Sequence, residues 1–239
     1  MSAYHTALYH TVPSERRARR WRSRRGLVCA VTTSALVLAT VVIPTPPGAA
    51  QEIAGELGDA SVLALERALD RRMTVWRSER RVVYVQHCRS ALGGCPSRVT
   101  AFAQMIGAAS QEHTIDPFLL AAVAVRESGM NPLAAGAAGE RGIVQLHPRG
   151  PGARVRFVQS EAYRRRCERQ PGVCQDEVLQ AGARLLSRSI NRCGSVRDAL
   201  GAYNRGECGE TDYSVRVMSE RQRLLRLAKS ESAELDTVN

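Results

Sequence analysis

Glu127 ends a segment, Phe118–Arg126, that is apolar nearly all round. Asp116-Pro117 opens that segment as a helix, with Asp as N-cap and Pro at the first helical position. Ser128-Gly129, followed by Asn131-Pro132, closes it. A carboxylate at such a helix end sits in an unfavourable field. The helix dipole opposes negative charge there, and Leu120, Val123 and Ala124 strip it of water. Both effects raise its pKa. A carboxylic acid still protonated near neutral pH is what general-acid cleavage of a glycosidic bond requires. On position alone, the alternative is a helix-end glutamate that turns to solvent or pairs with Arg126. Glu140 lies in a loop with Gly136, Gly139 and Gly142 and is a candidate second carboxylate. No G-x-S-x-G element supports a serine hydrolase, and no G-x-x-x-x-G-K-[ST] loop supports phosphate binding.

Three ordered motifs surround that glutamate. They are Glu127-Ser128-Gly129-Met130-Asn131-Pro132, then Gly139-Glu140-Arg141-Gly142-Ile143-Val144-Gln145-Leu146, then Ala202-Tyr203-Asn204-Arg205-Gly206. Together they resemble the soluble lytic transglycosylase family, whose pattern is E-S-x-F-N-P-x-A-x-S-x-x-G-A-x-G-L-M-Q followed by A-Y-N-x-G. The spacing from Glu127 to Gln145 matches without a gap, and the resemblance covers roughly residues 99–227. Glu210-Thr211 and Tyr213 weakly echo a later E-T-x-x-Y element of that family.

The resemblance implies a mainly α, lysozyme-like fold of the soluble transglycosylase and goose-type lysozyme kind. It also implies cleavage of peptidoglycan at the β-1,4 bond from N-acetylmuramic acid to N-acetylglucosamine. Glu127 would act first as acid, then as base toward the muramyl 6-hydroxyl, leaving a 1,6-anhydromuramyl end. One carboxylate can suffice because the nucleophile belongs to the substrate. Ordinary glycosidases need a second one, about 5–5.5 Å away for retention or about 6.5–9.5 Å for inversion. Ser128 is expected in the cleft and Gln145 on sugar substituents. Tyr203 is expected against Glu127 or the sugar, and Asn204 holding the cleft wall through backbone hydrogen bonds. His147, in Gln145-Leu146-His147-Pro148, is the histidine nearest this site in sequence. No cofactor or metal is implied.

Four departures from the pattern stand out. The family's Ser nine positions after the glutamate is Gly136, and its Ala after the loop glycine is Glu140. Leu-Met before the glutamine is Ile143-Val144, and the segment between Asn204 and Glu210 is short. If Glu140 reaches the cleft, it could activate water, and the chain would be a hydrolytic muramidase using Glu127 plus Glu140. Pairing of Glu140 with Arg141 or another arginine is the plainer reading. A non-catalytic wall-binding module is the third.

Positioning these residues requires a helical body. Val99 onward is helical, with Phe102, Met105, Ile106 and Ala109 on one face. Gln175–Ile190 and Val196–Tyr203 are further amphipathic helices. Upstream, residues 51–89 read as one long helix or a helix pair, with Leu65, Leu69, Met73 and Trp76 recurring at helical spacing. This segment either packs on the domain or forms a stalk. The expected division is a leader over 1–50, a helical arm with a Cys-bearing loop over 51–97, a catalytic domain over 98–227 and a flexible tail over 228–239.

Six cysteines follow the leader: Cys88, Cys95, Cys167, Cys174, Cys193 and Cys208. Cys88–Cys95 and Cys167–Cys174 each close a short loop with turn-forming Gly or Pro in or beside it. Sequential pairing, with Cys193–Cys208 as the third bridge, is therefore favoured. Loops this short contribute roughly 2.5–3 kcal/mol each on the chain-entropy model. The spacings are too wide for a structural zinc site.

The chain has 239 residues and a formal charge of +11. That total resembles a nucleic-acid binder's until it is divided along the chain. Residues 1–50 hold Arg16, Arg17, Arg19, Arg20, Arg22, Arg24 and Arg25 against Glu15 alone, and so carry +6. The remainder is only mildly basic, which argues against a nucleic-acid surface. The leader runs from the arginine cluster through an uncharged stretch, 26–43, to Gly48-Ala49-Ala50. This is the order of an export signal, either cleaved or kept as a membrane anchor through 26–43. The expected location is the periplasm or cell envelope, in one version anchored to the inner membrane. The expected partner is the peptidoglycan glycan strand, with a secretion or conjugation apparatus as a further candidate.

Overall fold

The computed structural model describes residues 48–167 and 171–229. The expected leader up to residue 47 and the expected flexible tail from residue 230 lie outside the described residues. The elements are α1 (Gly48–Met73), β1 (Thr74–Ser78), β2 (Arg81–Tyr84), α2 (Gln86–Arg89), α3 (Gly94–Glu112), α4 (Pro117–Ser128), α5 (Arg156–Gln159), α6 (Glu161–Cys167), α7 (Pro171–Cys193), α8 (Val196–Arg205) and α9 (Asp212–Lys229). The fold is mainly α, as expected for a lysozyme-like domain.

α4 is the central helix. Its residues from Phe118 to Val125 are all buried. Asp116 caps it: Oδ1 accepts the Phe118 N–H at 2.9 Å, and Pro117 follows at the first helical position. At the other end Gly129 takes the left-handed conformation, and the Gly129 and Met130 N–H groups close onto Val125 and Ala124. α4 packs on α9, α1 on α3 and α9, and α7 on α3 and α8. Two polar ties fix α4 against α9. Arg221 pairs with Asp116 at the start of α4, and Tyr213 bonds Glu127 at its end. The two helices therefore run in opposite directions. Leu65, Leu69 and Met73 of α1 join the core with Phe102 and Ile106 of α3 and with Val217 and Leu224 of α9.

The upstream segment differs from the helical reading after Met73. Residues 74–84 form an antiparallel hairpin pairing Thr74 with Tyr84, Trp76 with Val83 and Ser78 with Arg81. The composition fits: Val75, Trp76, Val82, Val83 and Tyr84 are β-branched or aromatic. Local hydrogen bonds decide the outcome. Thr74 Oγ1 donates to the Asp70 carbonyl at 2.8 Å, giving that carbonyl a partner where the helix ends. The Asp70 carboxylate then accepts from Arg77 at 2.6 Å and from Tyr84 at 2.7 Å. Burial and this contact push the Tyr84 phenol up to about 12. Trp76, read as a core position, is 51% exposed. α1 itself is part of the packed body rather than a separate stalk. The Cys-bearing stretch is also more helical than expected, since α3 begins at Gly94.

The structure contains disulfides Cys88–Cys95, Cys167–Cys174 and Cys193–Cys208. The last fastens the end of α7 to the short segment after α8. Among the described residues no helix is long and apolar enough to cross a membrane.

Candidate active site

Glu127, Glu140, Gln145, His147, Tyr203 and Asn204 line one cleft of about 460 Å³. α4 delivers Glu127, the loop between α4 and α5 delivers Glu140, Gln145 and His147, and α8 delivers the Tyr203-Asn204 pair.

Glu127 is half-buried, and Tyr213 Oη donates to its Oε1 at 2.6 Å. Burial raises its pKa. The Tyr213 hydrogen bond pulls the other way because it favours the ionised form. The nearby negative charge of Glu140 adds to the rise, and Arg126 opposes it. In return, buried Tyr213 and half-buried Tyr203 lie beside Glu127, and desolvation with the nearby carboxylate holds their phenols well above the ordinary value. Tyr213 thus keeps its proton and remains a hydrogen-bond donor throughout the physiological range.

The loop is built by backbone pairing. Arg141 and Leu146 exchange N–H···O bonds of 3.1 and 3.0 Å. Gly142, at φ +83°, lies so close to α7 that a Cβ there would come within 2.9 Å of Val178. Ile143 N–H donates to Gln175 Oε1 at 3.0 Å, and the Gln175 side chain is fully buried. Gln145 has φ +48° and uses its Nε2 donors on the Gly142 and Ala134 carbonyls at 2.8 and 3.1 Å. Its Oε1 remains as an acceptor for a sugar N–H or O–H. The loop also keeps His147 in one form. Its Nδ1 accepts the Arg149 N–H at 3.2 Å, so the neutral ring carries its proton on Nε2.

Two departures from the family pattern share a cause. A Cβ at Gly136 would collide with the Glu140 carboxylate. Glu140 Oε2 in turn accepts the Ala138 N–H at 3.0 Å. The acid at 140 thus occupies the space that a side chain at 136 would take. Arg141 does not pair with the Glu140 carboxylate; its Nη1 donates to the Glu140 backbone carbonyl at 3.0 Å.

Two sequence-based roles change. Ser128 is absent from the cleft lining. Its Oγ lies 2.7 Å from the Ile143 carbonyl and 3.1 Å from the Ala124 carbonyl, so it joins the helix end to the loop. A serine at a helix terminus commonly serves such local bonding. Asn204 is exposed at the cleft margin and its side chain makes no hydrogen bond among the described residues. Tyr203 fastens the wall instead, its Oη donating to the Val144 carbonyl at 2.9 Å. Tyr213 is the site residue that spacing alone did not place. The faint E-T-x-x-Y echo was its only sequence signal.

A helical body with a half-buried glutamate at the end of its central helix, facing an open cleft, is the arrangement of a lysozyme-like domain. Residues 104–226 match the family described as "Transglycosylase SLT domain", and the chain belongs to that family. It is also 33% identical over 103 residues to a protein named "Transglycosylase" from Enterobacteria phage PRD1. That match covers 43% of this chain and 34% of the phage protein, so the chain spans about a third of that relative's length. No solved structure matches.

Proposed function

We propose that the domain is a peptidoglycan lytic transglycosylase with Glu127 as its general acid and base. The observation that carries this reading is the half-buried Glu127 in the cleft, held by Tyr213 and raised in pKa by burial. Protonated Glu127 gives its proton to the glycosidic oxygen as the muramyl C1–O bond breaks. The resulting carboxylate takes the proton of the muramyl 6-hydroxyl as O6 bonds to C1. The glutamate ends protonated, no water is consumed, and the products are a free N-acetylglucosamine 4-hydroxyl and a 1,6-anhydromuramyl end. On this reading Gln145 Oε1 and Asn204, which line the cleft, take substrate hydrogen bonds at its margin.

A second reading rests on Glu140, which lines the same cleft and could activate water. The test is mass spectrometry of peptidoglycan digested by wild type and by Glu127→Gln. Anhydromuramyl ends from wild type support the transglycosylase, and reducing ends support hydrolysis. Equal digestion by the variant would remove Glu127 from the acid role. Binding without digestion by wild type would leave the wall-binding module. The leader and the disulfides favour an exported protein that meets the wall in the periplasm or cell envelope.

A further inference from the structure

A second hollow, about 740 Å³, adjoins the cleft and shares Pro151 and Leu185 with it as a common wall. Arg154, Arg184 and Arg188 line it, and all three are exposed. Among the described residues none of them has an ion-pair or hydrogen-bond partner. Arg72, Arg77, Arg165, Arg197 and Arg221, by contrast, each hold a carboxylate. Arg184 and Arg188 are also one turn apart on α7, where like charges repel. The opposing acids in the hollow are Asp176 and Glu177. Glu177 is already committed: its oxygens accept the Phe157 and Arg156 N–H groups at 2.7 and 3.2 Å, capping α5. Glu177 keeps its charge in that cap, so three arginines face two carboxylates and the hollow carries a net charge of +1.

Gln180 lines the same hollow, and its Oε1 is turned away from solvent without a hydrogen-bond partner. An unpaired buried acceptor is costly, and a turn of the amide would offer that oxygen to a ligand N–H. The hollow thus suits a ligand with carboxylates and amide N–H groups, attached to whatever occupies the cleft.

We propose that this arginine-lined groove binds the acidic peptide stem carried by the glycan strand, so that the protein selects peptide-bearing over denuded strands. This rests on the proposed wall-cleaving function. A stem branches from the lactyl group of muramic acid, as the groove branches from the cleft at Pro151 and Leu185. Guanidinium groups suit carboxylates because they donate two parallel hydrogen bonds.

The test compares the full chain with a triple variant, Arg154→Gln, Arg184→Gln and Arg188→Gln, on three substrates. These are peptide-bearing strands, the same strands with their carboxyls amidated, and denuded strands with free lactyl carboxylates. The variant should raise KM about tenfold on peptide-bearing strands with kcat unchanged, as expected for loss of solvent-exposed Arg–carboxylate contacts. That penalty should vanish on amidated strands and largely vanish on denuded ones. The triple Lys variant should recover most of the loss, and Asp176→Asn should lower KM. An unchanged KM on peptide-bearing strands, or an equal penalty on amidated strands, overturns the proposal. A full penalty on denuded strands overturns the peptide assignment in favour of the lactyl carboxylate. If wild type cleaves no strand, the lytic reading fails by itself. Co-sedimentation of the Glu127→Gln protein, with and without the arginine changes, on native and amidated insoluble peptidoglycan then still decides the groove.

Discussion

The cleft receives one carboxylate from a helix and another from a loop, and the two are held differently. Glu127 stands at the end of α4, whose residues from Phe118 to Val125 are buried, and its partner is a phenol from α9. Glu140 folds back on its own loop, its oxygen on the Ala138 N–H and its bulk over Gly136. Burial raises the pKa of the first. The second supplies a fixed negative charge that pushes the first further in the same direction. The comparison teaches that one cleft can place two identical side chains in unlike environments, one against a buried phenol and one against its own loop backbone.

Replacing Glu127 with Gln should break that contrast outright. Loss of the general acid should cut turnover by about 10²–10⁴-fold, read as product release from purified peptidoglycan. Stability should move the other way. A carboxyl whose folded pKa is raised contributes stability below its unfolded value, near 4.5, and loses it as pH rises through the folded value. The melting temperature of Glu127→Gln relative to wild type should therefore improve as pH increases.

Tyr213→Phe comes next. It removes a hydrogen bond to a charged group, typically about 1.5–3 kcal/mol, and should lower kcat roughly tenfold through poorer placement of Glu127. Tyr213 donates to the ionised form, so its loss should shift the alkaline limb of the pH–rate profile to higher pH. An unshifted limb would make Tyr213 a packing residue only.

Gly136→Ser should cost about 0.5–1.5 kcal/mol, seen in the denaturation midpoint, because the half-exposed Glu140 carboxylate swings away and gives up its hydrogen bond to the Ala138 N–H. The smallest effect is expected from Glu140→Gln. Turnover should change less than about threefold, with the alkaline limb moving to lower pH as the like charge disappears. A loss as large as that of Glu127→Gln would instead make Glu140 the water-activating base of a hydrolase.

Much of the Glu127 side of the cleft was legible in the chain. Asp116-Pro117, the apolar run and Ser128-Gly129 mark both ends of α4 through capping chemistry that acts within a few residues. Glu127 then stands out by conflict with its surroundings. What stayed hidden depends on distant partners. Tyr213 reaches Glu127 only because α9 packs against α4. Ser128 changes role because the Ile143 carbonyl comes within 2.7 Å of it. The hairpin after Met73 was concealed by the helical spacing of Leu65, Leu69, Met73 and Trp76, which continues past the true end. Thr74, Asp70 and Tyr84 override that periodicity with hydrogen bonds that no spacing rule displays.

The shared space of Gly136 and Glu140 also constrains how such a chain could arise by single changes. From a loop with serine at the first position and alanine at the second, the acid cannot take its present place while the serine Cβ remains. With the glycine accepted first, the glutamate enters a ready space; with the glutamate first, its carboxylate stays turned toward solvent until the glycine follows.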